Sequence, residues 1–296
     1  MILYVDKPTG YTSLDCVSAV RSLVGTRKVG HTGTLDPLAT GVLVVLTEES
    51  TKVAEYIKDV RKTYRAVLKL GMTTDTQDVT GKILSKEGFE GGFSDLEEAL
   101  PSFIGEISQL PPMYSAIKIG GVKLCDAARK GVEIERAERK ITIYSLKAEK
   151  TAQNDEFVLE IDCSAGTYVR TLCDDIGKKL GCGGVMKELR RTSVDGVGLE
   201  KCRTLDELRA MTREELFAFG LPTEEVLTGY EKVSFPAFFE RLYRNGCEIY
   251  LKKVGFEGKY PENTLLRVAD ADGKFFSLGR VRAFHDGLAV KSEKMF

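Results

Sequence analysis

The sequence of 296 residues lacks several features that would assign it to a familiar class. It has no apolar run near the roughly 20 residues that a membrane helix requires. Its first residues show no basic region followed by an apolar one, so we expect neither a membrane span nor a signal peptide. Only two histidines are present, and none of the seven cysteines forms a Cys-x-x-Cys pair, which argues against a structural zinc site. We expect a cytoplasmic protein whose thiols are reduced and mostly buried.

Motifs of several enzyme classes are also missing. The Gly-Lys pair at 81–82 lacks the earlier glycine of a phosphate-binding loop. There is no Gly-x-Ser-x-Gly elbow, and two histidines leave little scope for a Ser–His–Asp triad. The net charge of −1 gives no overall sign of nucleic-acid binding, although residues 1–70 and 231–296 each carry +3 and residues 71–184 carry −5. An RNA-binding face and ordinary surface variation explain that distribution equally well.

The composition is that of an ordinary globular protein, with 43% hydrophobic and 29% charged residues. The chain is long enough for two domains, or for one domain with an appendage. Alternating apolar residues predict strands at 62–70 and 156–163, and short continuous apolar runs predict strands at 2–5 and 41–46. Helical spacing and caps predict helices from Thr12 or Ser13 to Gly25 with Leu14 on the apolar face, over 50–59, and from Thr167 to Gly181. Capping boxes predict short helices after Ser94 and over 204–228.

The chain changes character after Tyr230. One helix is predicted at about 236–244, and Asp272-Gly273 and Asp286-Gly287 are hairpin signals. Residues 231–296 therefore read as a small, mostly β domain. Because strands and helices mix without a regular βαβ period, we predict an α+β fold with a largely antiparallel sheet.

The most unusual segment is the loop from Gly30 to Gly41, which holds three glycines and one proline between two strand-like stretches. Its composition implies special backbone needs. Asp36 lies in the middle, before a proline that favours extended backbone, and is a candidate positioned carboxylate. On composition alone, a turn or cap role for Asp36 is the more ordinary interpretation, and His31 is more often structural.

Two further residues are candidates on local grounds. Arg170 is predicted in the first turn of a helix, where the helix dipole disfavours a cation by roughly 0.3–1 kcal/mol. That conflict indicates a partner elsewhere, most simply a carboxylate, or else a solvated arginine. Tyr64 shares a strand face with Ala66 and Leu68, so core packing and a platform for base stacking both remain open.

Taken together, these segments resemble the bacterial tRNA pseudouridine-55 synthase (TruB) family over at least residues 1–200. The motifs that carry the resemblance occur in the family's order, and they are DKPTGYTS at 6–13, GHTGTLDPLATGVL at 30–43, KTYRA at 62–66, CSAGTYVRTL at 163–172 and LRRT at 189–192. A fourteen-residue loop match with four ordered motifs is highly specific. The resemblance favours functional interpretations of Asp36, Tyr64 and Arg170.

The resemblance implies that uridine in the T-loop of tRNA is converted to pseudouridine. The C1′–N1 bond breaks, the uracil turns, and a C1′–C5 bond forms, with no cofactor and no metal. Asp36 matches the essential aspartate, which either attacks C1′ or removes a proton from C2′. Arg170 matches the arginine that pairs with it, lowering the pKa of the carboxyl and holding its rotamer. The target base is expected to flip out of its stack.

The remaining site residues follow from the same resemblance. Tyr64 would stack on the base, and Tyr168 and Leu189 would line its pocket. His31 would help to occupy or order the space that the nucleotide vacates. Lys7 lies near the site by analogy, and Asp78 is a weaker candidate for a supporting network.

The resemblance also implies an architecture. It consists of a pseudouridine-synthase-like α+β core with a mixed, mostly antiparallel sheet over residues 1–230, an RNA-gripping insertion at about 107–140, and a PUA-type RNA-binding domain at 231–296. The partner would be the T-arm of tRNA, with no membrane and no obligate protein partner, and the chain is expected to be a monomer. Asp6 departs from the asparagine usual in the family, and the C-terminal region is too divergent for residue-level comparison.

Other functions remain as alternatives. The main one is a tRNA-binding or tRNA-folding protein that requires no catalysis, although binding alone would not demand the aspartate. We expect that a synthase directed by guide RNA does not apply, because the N-terminal extension of archaeal and eukaryotic relatives is missing and the net charge does not suggest broad RNA affinity.

Overall fold

The computed structural model describes residues 1–57 and 61–296. Its helices are α1 Ser13–Val24, α2 Phe93–Ala99, α3 Leu124–Ala128, α4 Val169–Lys179, α5 Leu205–Ala210, α6 Arg213–Phe219 and α7 Ala237–Arg244. Its strands are β1 Ile2–Lys7, β2 Val29–Thr32, β3 Thr40–Thr47, β4 Lys62–Leu70, β5 Met72–Thr74, β6 Ile83–Lys86, β7 Gly105–Gln109, β8 Lys118–Ile119, β9 Val122–Lys123, β10 Arg139–Lys150, β11 Glu156–Cys163, β12 Gly184–Val194, β13 Val197–Gly198, β14 Arg203–Thr204, β15 Lys232–Ser234, β16 Ile249–Tyr250, β17 Leu265–Ala269, β18 Phe275–Phe284 and β19 Gly287–Met295. Short 3-10 helices lie at Glu48–Tyr56, Leu100–Phe103, Leu199–Lys201, Thr223–Leu227 and Leu251–Lys253.

One large sheet organises the first 204 residues. Its main path runs β14-β1-β3-β12-β4-β11-β10-β7, with β2 beside β3 and β13 beside β12. The pairs β1–β14 and β3–β12 are parallel, and the other neighbours along this path are antiparallel. The predicted α+β fold with a mixed, mostly antiparallel sheet is therefore confirmed.

Both faces of this sheet are covered. The alternation in β4 turns Tyr64, Ala66, Leu68 and Leu70 towards one face, where the apolar side of α4 packs on them. On β1 and β3, one face packs against α1, α5 and α6, and the opposite face meets the C-terminal part of the chain through Leu278. This layering places the start of α4 at one end of β4, where the candidate site residues gather.

Some predicted helix limits are right and some side-chain placements are wrong. Helix α1 is capped by Thr12 and followed by Gly25 in the left-handed conformation, as predicted. Leu14 was expected on its apolar face but is 64% exposed, because the buried side is formed instead by a stripe that begins at Ser13 and Cys16.

Two predicted N-caps are also wrong. Helix α2 begins one residue before Ser94, since the Asp95 carboxylate accepts a hydrogen bond from the backbone N–H of Gly92 at 2.6 Å. Helix α4 begins after Tyr168, and the Thr167 hydroxyl donates instead to the carbonyl of Ser164 at 3.0 Å. The predicted helix over 50–59 is a 3-10 helix over Glu48–Tyr56, and positions 58 and 59 lie outside the described residues.

The C-terminal part of the chain forms a second sheet, in the order β15-β17-β18-β19-β16, with a hydrophobic core of its own. The two predicted Asp-Gly turns connect β17 to β18 and β18 to β19. A curled sheet of this kind is consistent with a PUA-type domain, while the limits 1–230 and 231–296 stay a prediction. Within the described ranges, no helix is both long and apolar enough to cross a membrane. All seven cysteines are free, and four of them are buried.

Candidate active site

The loop between β2 and β3, residues 33–39 (the Asp36 loop), is fixed to the start of the chain. The Ser13 hydroxyl at the beginning of α1 accepts a hydrogen bond from Leu35 N–H at 2.9 Å and donates to its carbonyl at 3.1 Å. Gly10 N–H donates to the Pro37 carbonyl at 2.8 Å. The backbone on both sides of Asp36 is therefore held in place, as a positioned side chain requires.

Two buried cations support this region. Lys7 has no exposed surface, and its Nζ donates to the Tyr11 carbonyl at 2.5 Å. Burial lowers its pKa below the ordinary value. Arg191 is 1% exposed and donates to the carbonyls of Gly33 at 2.9 Å and Val42 at 2.7 Å. Lys7 thus fixes the motif at residues 7–11, and Arg191 fixes both ends of the Asp36 loop.

Two of the three glycines in this segment have the left-handed backbone conformation that glycine favours, in agreement with the special backbone needs expected from its composition. Gly33 has φ +69° and Gly41 has φ +102°, whereas Gly30 is not in the left-handed region. A Cβ at Gly41 would lie 2.1 Å from the carbonyl oxygen of Arg191. Only glycine allows β3 and β12 to approach this closely.

Asp36 and Arg170 form an ion pair, with 3.2 Å between Oδ1 and Nη2. The Arg170 side chain is 5% exposed, and the same Nη2 donates to the Tyr114 carbonyl at 2.6 Å. Arg170 is the second residue of α4, so it does lie in the first turn. The carboxylate is thus the kind of partner that the unfavourable position of Arg170 on the helix dipole indicates.

The pKa of Asp36 is raised above its ordinary value. Burial is the largest cause, the pairing with Arg170 opposes it, and the neighbouring Asp78 carboxylate adds to the increase. The expectation that pairing lowers the pKa is right for that interaction and wrong for the net direction, because desolvation outweighs the guanidinium. Arg170 therefore favours the ionised form of Asp36, and the surrounding protein disfavours it.

Asp78, the weaker candidate for a supporting network, lies near Asp36. It is 5% exposed, and its Oδ1 accepts hydrogen bonds from the Thr76 hydroxyl, at 2.9 Å, and from the Thr80 backbone and hydroxyl, at 2.9 and 2.5 Å. These bonds fold residues 76–80 into a tight turn beside Asp36. In the sequence, the mixture of threonine and aspartate before a glycine signals such a turn.

The residues expected to receive the base lie around this pair. Tyr64 is 7% exposed and belongs to the same buried cluster as Leu35 and Leu189, so most of its ring contacts protein. Leu189 is paired with Ala66 across β12 and β4, two positions along the register from the pair of Arg191 with Tyr64. The structure brings Tyr64 and Leu189 to the Asp36 loop, and both interpretations of Tyr64 keep their support.

The structure places Tyr168 beside the pair and His31 near Arg191. The Arg170 guanidinium lies 6.0 Å from the centre of the Tyr168 ring. The His31 side chain is partly buried on β2, burial and Arg191 lower its pKa, and its Nδ1 is buried with no hydrogen-bond partner among the described residues.

Sequence reasoning missed two glutamines that position α4. Gln109 is 2% exposed; its amide nitrogen donates to the Tyr168 carbonyl at 3.1 Å, and its amide oxygen accepts from Tyr168 N–H at 2.8 Å. Gln77 accepts from the Thr171 hydroxyl at 2.7 Å and donates to Asp174 at 2.9 Å. No local pattern marks either residue, because both partners lie far away in the chain.

Asp6, the one departure noted in the first motif, is explained by an ion pair. Its two carboxylate oxygens accept from Arg190, at 3.1 and 2.6 Å. The same guanidinium donates to the Thr40 hydroxyl at 3.2 Å. The pair links β1 to β12 beside the Asp36 loop. In the described part of the chain, no three His, Cys, Asp or Glu side chains gather as metal ligands.

Comparison with solved structures shows which fold this is. The crystal structure of a Cbf5-Nop10-Gar1 complex matches with a TM-score of 0.73 and 23% sequence identity, covering 99% of this chain and 84% of that one. A structure of an H/ACA RNP bound to a substrate RNA containing 2′-deoxyuridine matches with a TM-score of 0.71 and 22% identity, covering 100% of this chain and 84% of that one. These likenesses concern the fold alone.

Comparison with protein sequences identifies the family. Proteins named tRNA pseudouridine synthase B are 42% identical in Clostridium tetani, covering 94% of both chains, and 45% identical in Alkaliphilus oremlandii, covering 84% of this chain and 82% of the relative. The counterpart in Pseudomonas fluorescens is 39% identical, covering 95% and 91%. The model "TruB family pseudouridylate synthase (N terminal domain)" matches residues 21–169, and "tRNA pseudouridylate synthase B C-terminal domain" matches 170–228.

The fold and these relatives define an enzyme of the isomerase class, a pseudouridine synthase. The chain belongs to the TruB family of these enzymes.

Proposed function

We propose that this enzyme isomerises uridine 55 in the T-loop of tRNA to pseudouridine, with Asp36 as the essential catalytic group. The observation that carries the proposal is the Asp36–Arg170 ion pair, a carboxylate on a fixed loop held at 3.2 Å by a buried guanidinium. The names of the relatives, which cover nearly the whole chain, support tRNA as the substrate.

The reaction requires an ionised carboxylate at the sugar. The C1′–N1 bond breaks, the uracil turns, and the C1′–C5 bond forms, while C5 loses its proton and N1 gains one. Asp36 either attacks C1′ or takes the C2′ proton, and both routes use the same ionised oxygen. Arg170 keeps that oxygen charged in a buried setting and limits its rotamers.

The other site residues receive the flipped nucleotide. Tyr64 stacks on the uracil, Tyr168 and Leu189 line its pocket, and His31 occupies or orders the space left in the RNA. Lys7 supports the site indirectly, because it is fully buried and, among the described residues, its hydrogen bonds go to backbone carbonyls. Stacking on an aromatic ring is worth about 1–3 kcal/mol per base, enough to offset part of the unstacking cost.

The remaining parts of the proposal concern the whole chain. Residues 1–230 form the catalytic domain, with about 107–140 as the insertion that grips the RNA, and residues 231–296 form a PUA-type RNA-binding domain. The enzyme acts in the cytoplasm as a monomer without an obligate protein partner. Light scattering of the purified protein, alone and with tRNA, tests the oligomeric state, and a stable dimer in either case would contradict it.

The test of catalysis is tritium release from unmodified tRNA that carries 5-³H-uridine, because bond formation at C5 expels the label. We expect release by the parent enzyme and a loss of at least about 10²- to 10⁴-fold in Asp36→Asn, which keeps the shape of the side chain. No release by either protein, with tRNA binding intact, would favour a tRNA-binding or tRNA-folding function. A tRNA in which only uridine 55 is replaced by cytidine tests the position, since it should release no label.

A further inference from the structure

A lysine beside the Asp36 loop has no counter-charge within residues 1–57 and 61–296. Lys62 is the first residue of β4 and is partly buried on the same strand face as Tyr64. No carboxylate forms a salt bridge with it among the described residues, whereas Lys69, at the other end of the strand, pairs with Asp155 at 2.8 Å and Glu156 at 3.1 Å. A charge withdrawn from water without a partner is costly, so its retention calls for an explanation.

The environment of Lys62 increases that cost. Its Nζ lies 3.2 Å, and Arg191 Nη1 lies 3.3 Å, from the point that a Cβ on Gly33 would occupy. Two cations therefore meet against the start of the Asp36 loop. Burial first and the charge of Arg191 second lower the pKa of Lys62 to about 8, and the thiol of Cys163 opposes them in part.

We propose that Lys62, backed by Arg191, forms a phosphate-binding subsite at the Asp36 loop and contacts a phosphodiester next to the target uridine. This rests on the proposed function, which supplies an RNA substrate. The chemistry fits, because a phosphodiester is an obligatory anion one sugar ring away from C1′, and a lysine binds phosphate as a point charge. Arg191 is almost fully buried and already bonded to two carbonyls, so Lys62 provides the contact.

The subsite positions the substrate. A phosphate bound by Lys62 sets the height of the sugar above the carboxylate, since Lys62 Nζ lies against the start of the loop that carries Asp36. Lys62 is a positioning residue, because it touches the backbone of the substrate and not the reacting atoms. We expect that removing the Lys62 side chain weakens binding and raises KM, and that it affects the chemical step less.

The first test is equilibrium binding of a T-arm stem-loop RNA, measured against salt in an Asp36→Asn background so that no turnover occurs. Lys62→Gln should weaken binding by about tenfold or more, and should reduce the slope of log affinity against log salt by about 0.7–0.9. Lys62→Arg should keep the parental slope. The matched control Lys69→Gln, on the same strand with its own carboxylate partners, should also keep it.

The second test locates the contact. RNAs with one neutral methylphosphonate linkage, placed on either side of the target uridine, are compared between Lys62 and Lys62→Gln proteins. One of the two linkages should weaken binding to the Lys62 protein and leave Lys62→Gln unaffected. Equal losses in both proteins, or parental affinity and salt slope in Lys62→Gln, would overturn the subsite.

The pH dependence of binding separates a charge contact from a structural role. Affinity should fall as the pH rises through about 8 in the Lys62 protein, and should stay constant over that range in Lys62→Arg. The same variants are assayed for tritium release with Asp36 restored. No release by the parent would refute the proposed function. Release by the parent with no effect of Lys62→Gln on KM would refute the subsite alone.

Discussion

Two carboxylates in different regions of this enzyme each pair with arginine, yet their pKa values move in opposite directions. In the catalytic region, the pKa of Asp36 is raised although Arg170 lies 3.2 Å away. In the C-terminal region, Arg280 and Arg282 lie 3.2 and 3.1 Å from Glu293 and lower its pKa. The partners are alike in type and distance but differ in number, so the direction depends on the number of arginines and on the surroundings together.

The surroundings differ in the number and exposure of the arginines and in the neighbouring charges. The carboxyl side chains are similarly exposed, 31% for Asp36 and 21% for Glu293. Asp36 has one arginine, which is 5% exposed, and a second carboxylate, Asp78, beside it, whereas the two arginines on Glu293 are 28% and 53% exposed. At Asp36, desolvation by the surrounding protein outweighs one arginine; at Glu293, the hydrogen bonds of two arginines outweigh desolvation. A close arginine is thus not by itself a sign that a carboxylate stabilises the fold.

The pH dependence of stability follows with opposite signs. Glu293 has a lower pKa in the folded state, so its contribution is present above the unfolded value of 4.5 and is lost as the pH falls through the folded value. Asp36 has a higher folded pKa than 3.8, so folding loses stability as the pH rises through that folded value. The active site is therefore maintained at a cost that the C-terminal pair does not carry.

Removing the arginine from each pair should give the largest contrast. Arg170→Met leaves the partly exposed Asp36 without its counter-charge and the carbonyls of Thr76 and Tyr114 without a donor, and we expect a loss of about 1–3 kcal/mol in the free energy of unfolding together with loss of tritium release. Arg282→Met should cost less than about 1 kcal/mol and leave isomerisation unchanged. Urea denaturation measures both; equal losses in the two variants would show that burial does not separate the pairs.

Neutralising the second carboxylate of the active site should move the pKa of Asp36 towards that of an ordinary aspartate. Asp78→Asn keeps an acceptor oxygen for Thr76 and Thr80 but removes the negative charge. Because Asp36 then ionises more easily, the acid limb of kcat/KM should shift to lower pH, by up to about one unit.

The control for that shift lies in the same turn. Asp75 is exposed and its carboxylate accepts a hydrogen bond from Lys82 N–H at 2.8 Å. Asp75→Asn should leave the acid limb where it is in the parent. A shift of the limb to higher pH in Asp78→Asn would contradict the repulsion between the two carboxylates.

The smallest effect is expected at the C-terminal carboxylate. Glu293→Gln should lower the free energy of unfolding at pH 7 by less than about 1 kcal/mol, because its pairs are partly solvated. The difference from the parent should shrink below about pH 4 and at high salt. Denaturation curves at two pH values and two salt concentrations check this, and a difference independent of both would mean that the side chain acts through packing.

The sequence allowed the partner of Arg170 to be anticipated, but not its full environment. A cation in the first turn of a helix is a conflict that is visible locally, and the Asp36 carboxylate was the type of group expected. The carbonyls of Thr76 and Tyr114 that also accept from Arg170 come from segments 94 and 56 residues away. Every residue has a backbone carbonyl, so acceptors this far away in the sequence cannot be recognised from residue type.

The helix errors have a related cause. The apolar stripe of α1 admits two phases, and only the packing against β1 and β3 shows that Cys16 is inside while Leu14 is out. At α2, the sequence indicates a capping box that begins at Ser94, but the Asp95 carboxylate accepts from Gly92 N–H and the helix begins one residue earlier. The direction of the Asp36 pKa shift also depends on burial, which the sequence does not contain.

The strand order of the large sheet has a consequence for how the enzyme is made. Strand β3 is flanked by β1 on one side, and by β2 and β12, residues 184–194, on the other. A growing chain on the ribosome thus has Asp36 and β3 long before it has β12 or Arg170. Such distant pairings are slow to form, and the Asp36–Arg170 pair becomes available only when more than half of the chain has been made.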